Sequence, residues 1–274
     1  MKTQSKNLFL LGLLIFLAII LTACPPEPEP DPDPDPAPVV TLPITMKSGK
    51  EIQKLLVGTN LKANNEATSF KASATPAPAG VTTETLSADD SETACVAWLD
   101  NSTKTIYYYA KGYTDAGKKI PLTSCVSLFE KCLTLTTIDV SGFDTSEVSS
   151  FSVTFSGCTA LTTISGLDTL NTTNVTNFQG MFYNCSALTE IDISSFDASK
   201  VTNTGGMFQD CTELATIYAK VGTDWTTISS SLNMFNGCTN LKGGAGTTYD
   251  SGKIDVSYAR IDGGTSAPGY FTEK

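Results

Sequence analysis

The stretch Met181-Phe182-Tyr183-Asn184-Cys185-Ser186-Ala187-Leu188-Thr189-Glu190-Ile191-Asp192 decides how this chain is read, because its kernel, Phe-x-x-Cys-x-x-Leu, occurs five times. The matches are Phe129/Cys132/Leu135, Phe155/Cys158/Leu161, Phe182/Cys185/Leu188, Phe208/Cys211/Leu214 and Phe235/Cys238/Leu241. Successive cysteines lie 26, 27, 26 and 27 residues apart. A fixed period of this size marks a repeat array, in which no unit can bury its apolar face alone and stability comes from stacking on the next.

The period lies within the range of leucine-rich repeats. After each leucine the best-preserved units continue Leu135-x-x-Ile138-x-Val140-x-x-Phe143 and Leu188-x-x-Ile191-x-Ile193-x-x-Phe196, the strand spacing of such repeats. Alternation turns Ile138/Val140 and Ile191/Ile193 inward and leaves Asp139 and Asp192 facing out. Polar residues then precede an apolar spacing of three and four: Asp144-Thr145-Ser146 before Val148, Phe151 and Phe155, and Asn174 before Val175, Phe178 and Phe182. That spacing predicts short helical turns on the far side of each coil, with Asp144 and Asp197 as N-caps rather than catalysts. The expected fold is an α/β repeat: a leucine-rich-repeat-like solenoid of about five 26–27-residue coils over residues 121–245, each a short parallel strand plus a short helix. Five strands about 4.8 Å apart would span roughly 24 Å. Ser165-Gly166 in the second coil and Lys220-Val221-Gly222-Thr223-Asp224-Trp225 in the fourth depart from the pattern and are expected to bend locally.

Working outward, residues 39–120 lack the period and read as a small α+β capping module. Ser48-x-x-Glu51 before Ile52, Leu55 and Leu56, with Gly58 as a stop, predicts a capping box on a short helix. Cys95–Leu99 and Thr105–Ala110, separated by Asp100 to Lys104, predict a hairpin. Its aromatic cluster, Trp98, Tyr107 and Tyr109, is either packing against the first coil or a platform for a glycan. The tail 246–274, rich in turn formers and aromatics such as Tyr270 and Phe271, reads as the C-terminal cap.

At the other end, Lys2 and Lys6 precede an uncharged apolar run from Leu8 to Ile20 and then Leu21-Thr22-Ala23-Cys24. The run is shorter than the ~20 residues a spanning helix needs, and residues 1–23 read as a cleaved signal peptide. The four residues ending at Cys24 resemble the bacterial lipobox, which implies that the Cys24 thiol receives diacylglycerol and anchors the chain to a membrane. Residues 24–38, running on through PPEPEPDPDPDPAP, form a linker that missing N–H groups and charge repulsion keep extended. At about 3.1 Å per residue it would reach roughly 40 Å.

Composition narrows function by exclusion. Formal net charge is −10, and losing Lys2 and Lys6 with the signal peptide leaves −12. Neither a basic cluster nor a nucleic-acid motif is present, so no nucleic-acid partner is expected. The chain has no histidine, the commonest general base and metal ligand, and no phosphate-binding loop or nucleophile elbow. No catalytic residue, metal site or cofactor is expected. The repeat cysteines fit no zinc spacing and read as small buried hydrophobes in a column. Cys95 and Cys125 are the best single candidate for a disulfide.

Residues Met181-Phe182-x-x-Cys185-x-x-Leu188-Thr189-x-Ile191-Asp192-x-Ser194-x-Phe196-Asp197-x-Ser199-x-Val201-Thr202 resemble the BspA-like leucine-rich-repeat surface proteins of bacteria, and the tail Ala259 to Phe271 resembles their common ending. The resemblance covers roughly residues 90–274. It implies a surface lipoprotein, at the outer membrane or cell surface, that binds host matrix proteins, host cells or other bacteria. The face such a partner would meet carries Thr137, Asp139, Ser141, Thr163, Ser165, Glu190, Asp192, Ser194, Thr216, Tyr218 and Lys220. These are mostly small, hydroxylated or acidic, which suits weak contacts multiplied over many copies or a merely solvated surface. A structural envelope lipoprotein without a host ligand, and a glycan-binding module, are the other readings.

Overall fold

The computed structural model describes residues 44–63 and 65–274. The expected signal peptide 1–23, the expected lipid-bearing Cys24 and the linker 24–38 lie outside the described residues, as does the start of the 39–120 module.

Helix α1 (Gly49–Gly58) forms where the capping box predicts it. Ser48 N donates to Glu51 Oε2 at 2.9 Å, and Glu51 N donates back to Ser48 Oγ at 3.4 Å. Ile52 and Leu56 are buried. A Cβ at Gly49 would lie 2.4 Å from Val126 O, so a glycine there lets α1 lie against the edge of the first coil.

Strands β1 (Ser69–Ala72), β2 (Glu84–Thr85), β3 (Cys95–Asp100) and β4 (Thr105–Ala110) follow. The predicted hairpin is β3–β4, antiparallel, and Asp100 holds its turn by accepting from Ser102 N at 2.9 Å. Strand β1 pairs in parallel with β4 on one side and with β6 (Thr137–Asp139) of the first coil on the other. The module and the first two coils therefore share one six-stranded sheet, ordered β2-β3-β4-β1-β6-β8, with β8 at Thr163–Ser165. A second sheet, β11-β10-β9, holds Glu190–Asp192 (β9), Thr216–Ala219 (β10) and Phe271–Glu273 (β11). Ile120–Pro121 (β5) and Phe143–Asp144 (β7) form a two-stranded pair.

Four coils thus supply strands. The fifth does not, and its place beside β10 is taken by the tail, with Ile217 opposite Phe271. On the opposite side, single parallel bridges link Ser150, Asn177, Asn203 and Ser230 without a break.

Two repeated contacts join the coils. The Phe129, Phe155, Phe182, Phe208 and Phe235 rings stack in turn at 5.5, 5.6, 5.6 and 5.9 Å between centroids, within 8° of parallel. The Cys158, Cys185, Cys211 and Cys238 thiols each donate to the carbonyl of the preceding coil's phenylalanine, at 3.0, 3.1, 3.0 and 2.9 Å. All seven described cysteines are buried and free, so Cys95 and Cys125 are not bridged.

The predicted outer helices are not formed; among the described residues α1 is the one α-helix. The cause is a pair of left-handed residues in every coil. Ser127, Val153, Gly180, Gly206 and Asn233 have φ between 51° and 62°, and Lys131, Gly157, Asn184, Asp210 and Gly237 between 53° and 81°. Left-handed residues interrupt a right-handed helix after each turn. Asp144 and Asp197 cap turns instead, accepting from Ser146 N at 3.0 Å and Ser199 N at 2.8 Å.

Val153 is the one β-branched residue in this series, at φ 51° where two other coils place glycine. A branched side chain in the left-handed region is strained, so Val153→Gly should stabilise the fold by about 1 kcal/mol after the entropy glycine adds to the unfolded chain. Calorimetry would show a rise of roughly 2–4 °C. Burial also pushes the Cys95, Cys125 and Cys211 thiols up to about 12. An unfolded thiol titrates near 8.5. The folded state keeps protons that the unfolded state releases, so stability is full below about pH 8.5 and falls between there and pH 12, by up to about 1.4 kcal/mol per pH unit per thiol. Urea midpoints at pH 8 and pH 10.5 should differ accordingly.

Candidate binding face and its seam

The outward strand positions fall into rows. Thr137 is opposite Thr163 and Asp139 opposite Ser165; Glu190 is opposite Thr216 and Asp192 opposite Tyr218. Thr137, Ser141, Thr163, Ser165, Glu190 and Lys220 are exposed, and Asp139, Asp192, Ser194, Thr216 and Tyr218 half-buried. Ser141 and Ser194 stand just past the strand ends, where their N–H groups donate to Asp139 Oδ1 and Asp192 Oδ1, each at 2.9 Å. Lys220 follows the end of β10. Burial alone would raise the Asp192 pKa, but Lys274 and Ser194 bond its carboxylate and hold it below the ordinary range. Lys274, the last residue, is the site residue the sequence did not suggest. Its ammonium pairs with Asp192 and lies 5.5 Å from the centre of the Tyr218 ring. Only the pairing of β11 with β10 brings it there.

The aromatic cluster belongs to the same sheet. Trp98 is opposite Tyr107, and Tyr107 opposite Lys71. The rings are used internally: Trp98 is 4% exposed, it stacks on Tyr107 at 5.7 Å, and Lys71 Nζ lies 5.3 Å from the Tyr107 centroid. Tyr109 Oη donates to Asp115 at 3.0 Å. A cavity of about 770 Å³ adjoins Trp98 and Tyr107 beneath the Ser73–Thr82 loop, but the rings offer it little open face.

The face is not continuous. Thr136 O accepts from Thr162 N and Thr163 N, and Thr189 O from Ala215 N and Thr216 N, yet among the described residues no such bond joins Thr162 to Thr189 or Glu190. Strands β8 and β9 are both sheet edges. Between them lies a cleft of about 360 Å³ whose walls include Thr163, Ile164, Leu167, Asp168 and Glu190. The cause is local to the second coil. Gly166 sits at φ 81°, and a Cβ on it would lie 2.5 Å from Ser141 N, so its backbone is pressed against the first coil. A 3₁₀ turn, Leu167–Thr169, then replaces the path the other coils take. The expected break at Ser165-Gly166 is therefore real and has an unexpected product, an open seam.

Among the described residues no group of three His, Cys, Asp or Glu side chains is placed to hold a metal ion, and no helix is long and apolar enough to cross a membrane. The family model described as "Mycoplasma protein of unknown function, DUF285" matches residues 123–247, the span of the repeats, and its description assigns no activity. No curated protein and no solved structure matches the chain.

Gly166 and Gly222 separate crowding from conformational preference, because both have positive φ but Gly222 has open space around it. Gly222→Ala should cost about 1 kcal/mol, the left-handed penalty alone. Gly166→Ala should cost about 2–3 kcal/mol, since it also drives a methyl group into Ser141. Denaturant midpoints of the two variants measure the difference.

Proposed function

We propose that this protein is a lipid-anchored, surface-displayed binding module. In this reading Cys24 holds it to the bacterial envelope, the Pro/acidic linker sets it off the lipid, and the stacked coils form a leucine-rich-repeat-like solenoid that mediates protein–protein interaction or adhesion. Its partner is a host matrix protein, a host-cell protein or another bacterium. The observation that carries the reading is the pair of rows Thr137/Thr163 with Glu190/Thr216, and Asp139/Ser165 with Asp192/Tyr218. Parallel pairing lays the residues of each set side by side, one set on either side of the seam, the form in which repeat arrays present binding sites. The rows are short, and Tyr218 is the one aromatic among them. Single contacts are therefore weak, and many copies on one cell supply the avidity.

Cells displaying the full chain test this in one assay against immobilised matrix proteins and host cells. Wild-type cells should adhere and lose adhesion when treated with protease. Cells carrying Cys24→Ser should release the protein, and cells with Asp139→Lys, Glu190→Lys and Asp192→Lys together should retain it but adhere at least tenfold less. Protection of the wild-type protein from added protease, or undiminished adhesion by the triple variant, would overturn the proposal.

A further inference from the structure

Resting on the strand-face reading, we infer that the seam between β8 and β9 is a docking site for an extended segment of a partner protein that inserts a lysine or arginine side chain. Three features converge there. Each sheet ends at the seam, leaving a strand edge with backbone groups that no neighbouring strand satisfies. An added extended chain satisfies such edges by hydrogen bonding. The cleft beneath has a mixed lining whose apolar part is formed by Ile164, Leu167, Leu188 and Ile191. Ile164 is half-buried, whereas its counterparts Ile138, Ile191 and Ile217 are 1%, 4% and 0% exposed, and Leu167 lies beside it.

The rim is acidic. Asp168 and Glu190 are exposed, and Glu190 already attracts the Lys274 ammonium, which lines the same cleft. A lysine or arginine matches both levels, because its aliphatic stem covers apolar surface while its charged head stays at the carboxylates. The chain itself supplies an example of that chemistry at the cleft's edge, where the Lys274 ammonium sits on Asp192 and over the Tyr218 ring. The opening between β8 and β9 is the wedge the segment enters, its backbone running along the edge that each strand presents to the other.

The test uses the full-length protein in detergent and capped peptides of sequence Thr-Ile-Lys-Ile-Thr, with the lysine replaced by norleucine or glutamate in two controls and with alternate backbone nitrogens methylated in a third. Titration should show the lysine peptide binding at least tenfold more tightly than the norleucine, glutamate and N-methylated peptides. Asp168→Asn with Glu190→Gln should reduce it to the norleucine level. Ile164→Trp, which fills the wedge, should abolish binding; the carboxylate pair keeps the test decisive if that variant fails to fold. Equal binding of the lysine and norleucine peptides, or none at millimolar concentration, overturns the inference. If the wild-type protein mediates adhesion, and Asp168→Asn leaves it unchanged while the Asp139/Glu190/Asp192 triple variant loses it, the strand face stands and the seam falls. Lysine-dependent peptide binding without cell adhesion leaves the seam standing and removes adhesion.

Discussion

Everything regular in this protein follows from one joint used four times. A phenylalanine ring lies flat against the ring of the coil before it, and three residues later a cysteine thiol donates to that earlier phenylalanine's carbonyl. The ring stack fixes how far apart the coils are. The thiol bond fixes how one coil is turned on the next. Cysteine suits the position because it is small and apolar enough for a fully buried column, yet still carries a donor. Serine would bring a more strongly solvated group and a shorter reach. The recurring Phe-x-x-Cys spacing is thus the trace of a joint, and the burial of the thiols is a by-product of where their acceptors lie.

A stack of parallel rings has no natural end, and the molecule supplies one at each side by changing geometry. Phe70 meets Phe129 at 4.9 Å and 73°, and Tyr270 meets Phe235 at 5.2 Å and 79°. An edge-to-face contact is favourable and turns the direction of stacking away from the coils, and beyond it Phe70 stacks on Tyr108 at 5.1 Å within its own module. Both terminal rings come from segments outside the period, which is why the capping regions share no motif with the coils they close.

The parts of this fold that were legible in the sequence are those governed by local chemistry. Ser48 and Glu51 announce a capping box, the runs 95–99 and 105–110 announce a hairpin, and Ser165-Gly166 announces the end of a strand. The outer turns were misread as helices because their apolar spacing is helical, while the residues that forbid helix are mixed. Gly180 and Asn184 signal left-handed backbone, but Ser127, Lys131 and Val153 hold the same conformation without signalling it. The strand Ser69–Ala72 escaped notice because four residues with one buried side chain carry no period. At the candidate face, the outward residues were legible from alternation alone. The seam was not, because it depends on how Gly166 meets Ser141 across 25 positions of chain, and the place of Lys274 depends on where the tail returns.

That return has a consequence for how the molecule is made. The outer edge of β10 is covered by residues 271–273, and the exposed end of the ring stack by Tyr270 and Phe271. These residues follow all five coils in the sequence, so they leave any machinery that makes or moves the chain after the coils do. Until they arrive, the growing polypeptide carries an open strand edge and a bare aromatic face, the two features most prone to pairing with the wrong neighbour. Assembly can advance coil by coil from the amino-terminal side, but it locks only once residues 270–273 have arrived. A protein that stopped short of residue 263 would keep its five repeats and lose the element that makes them safe from one another.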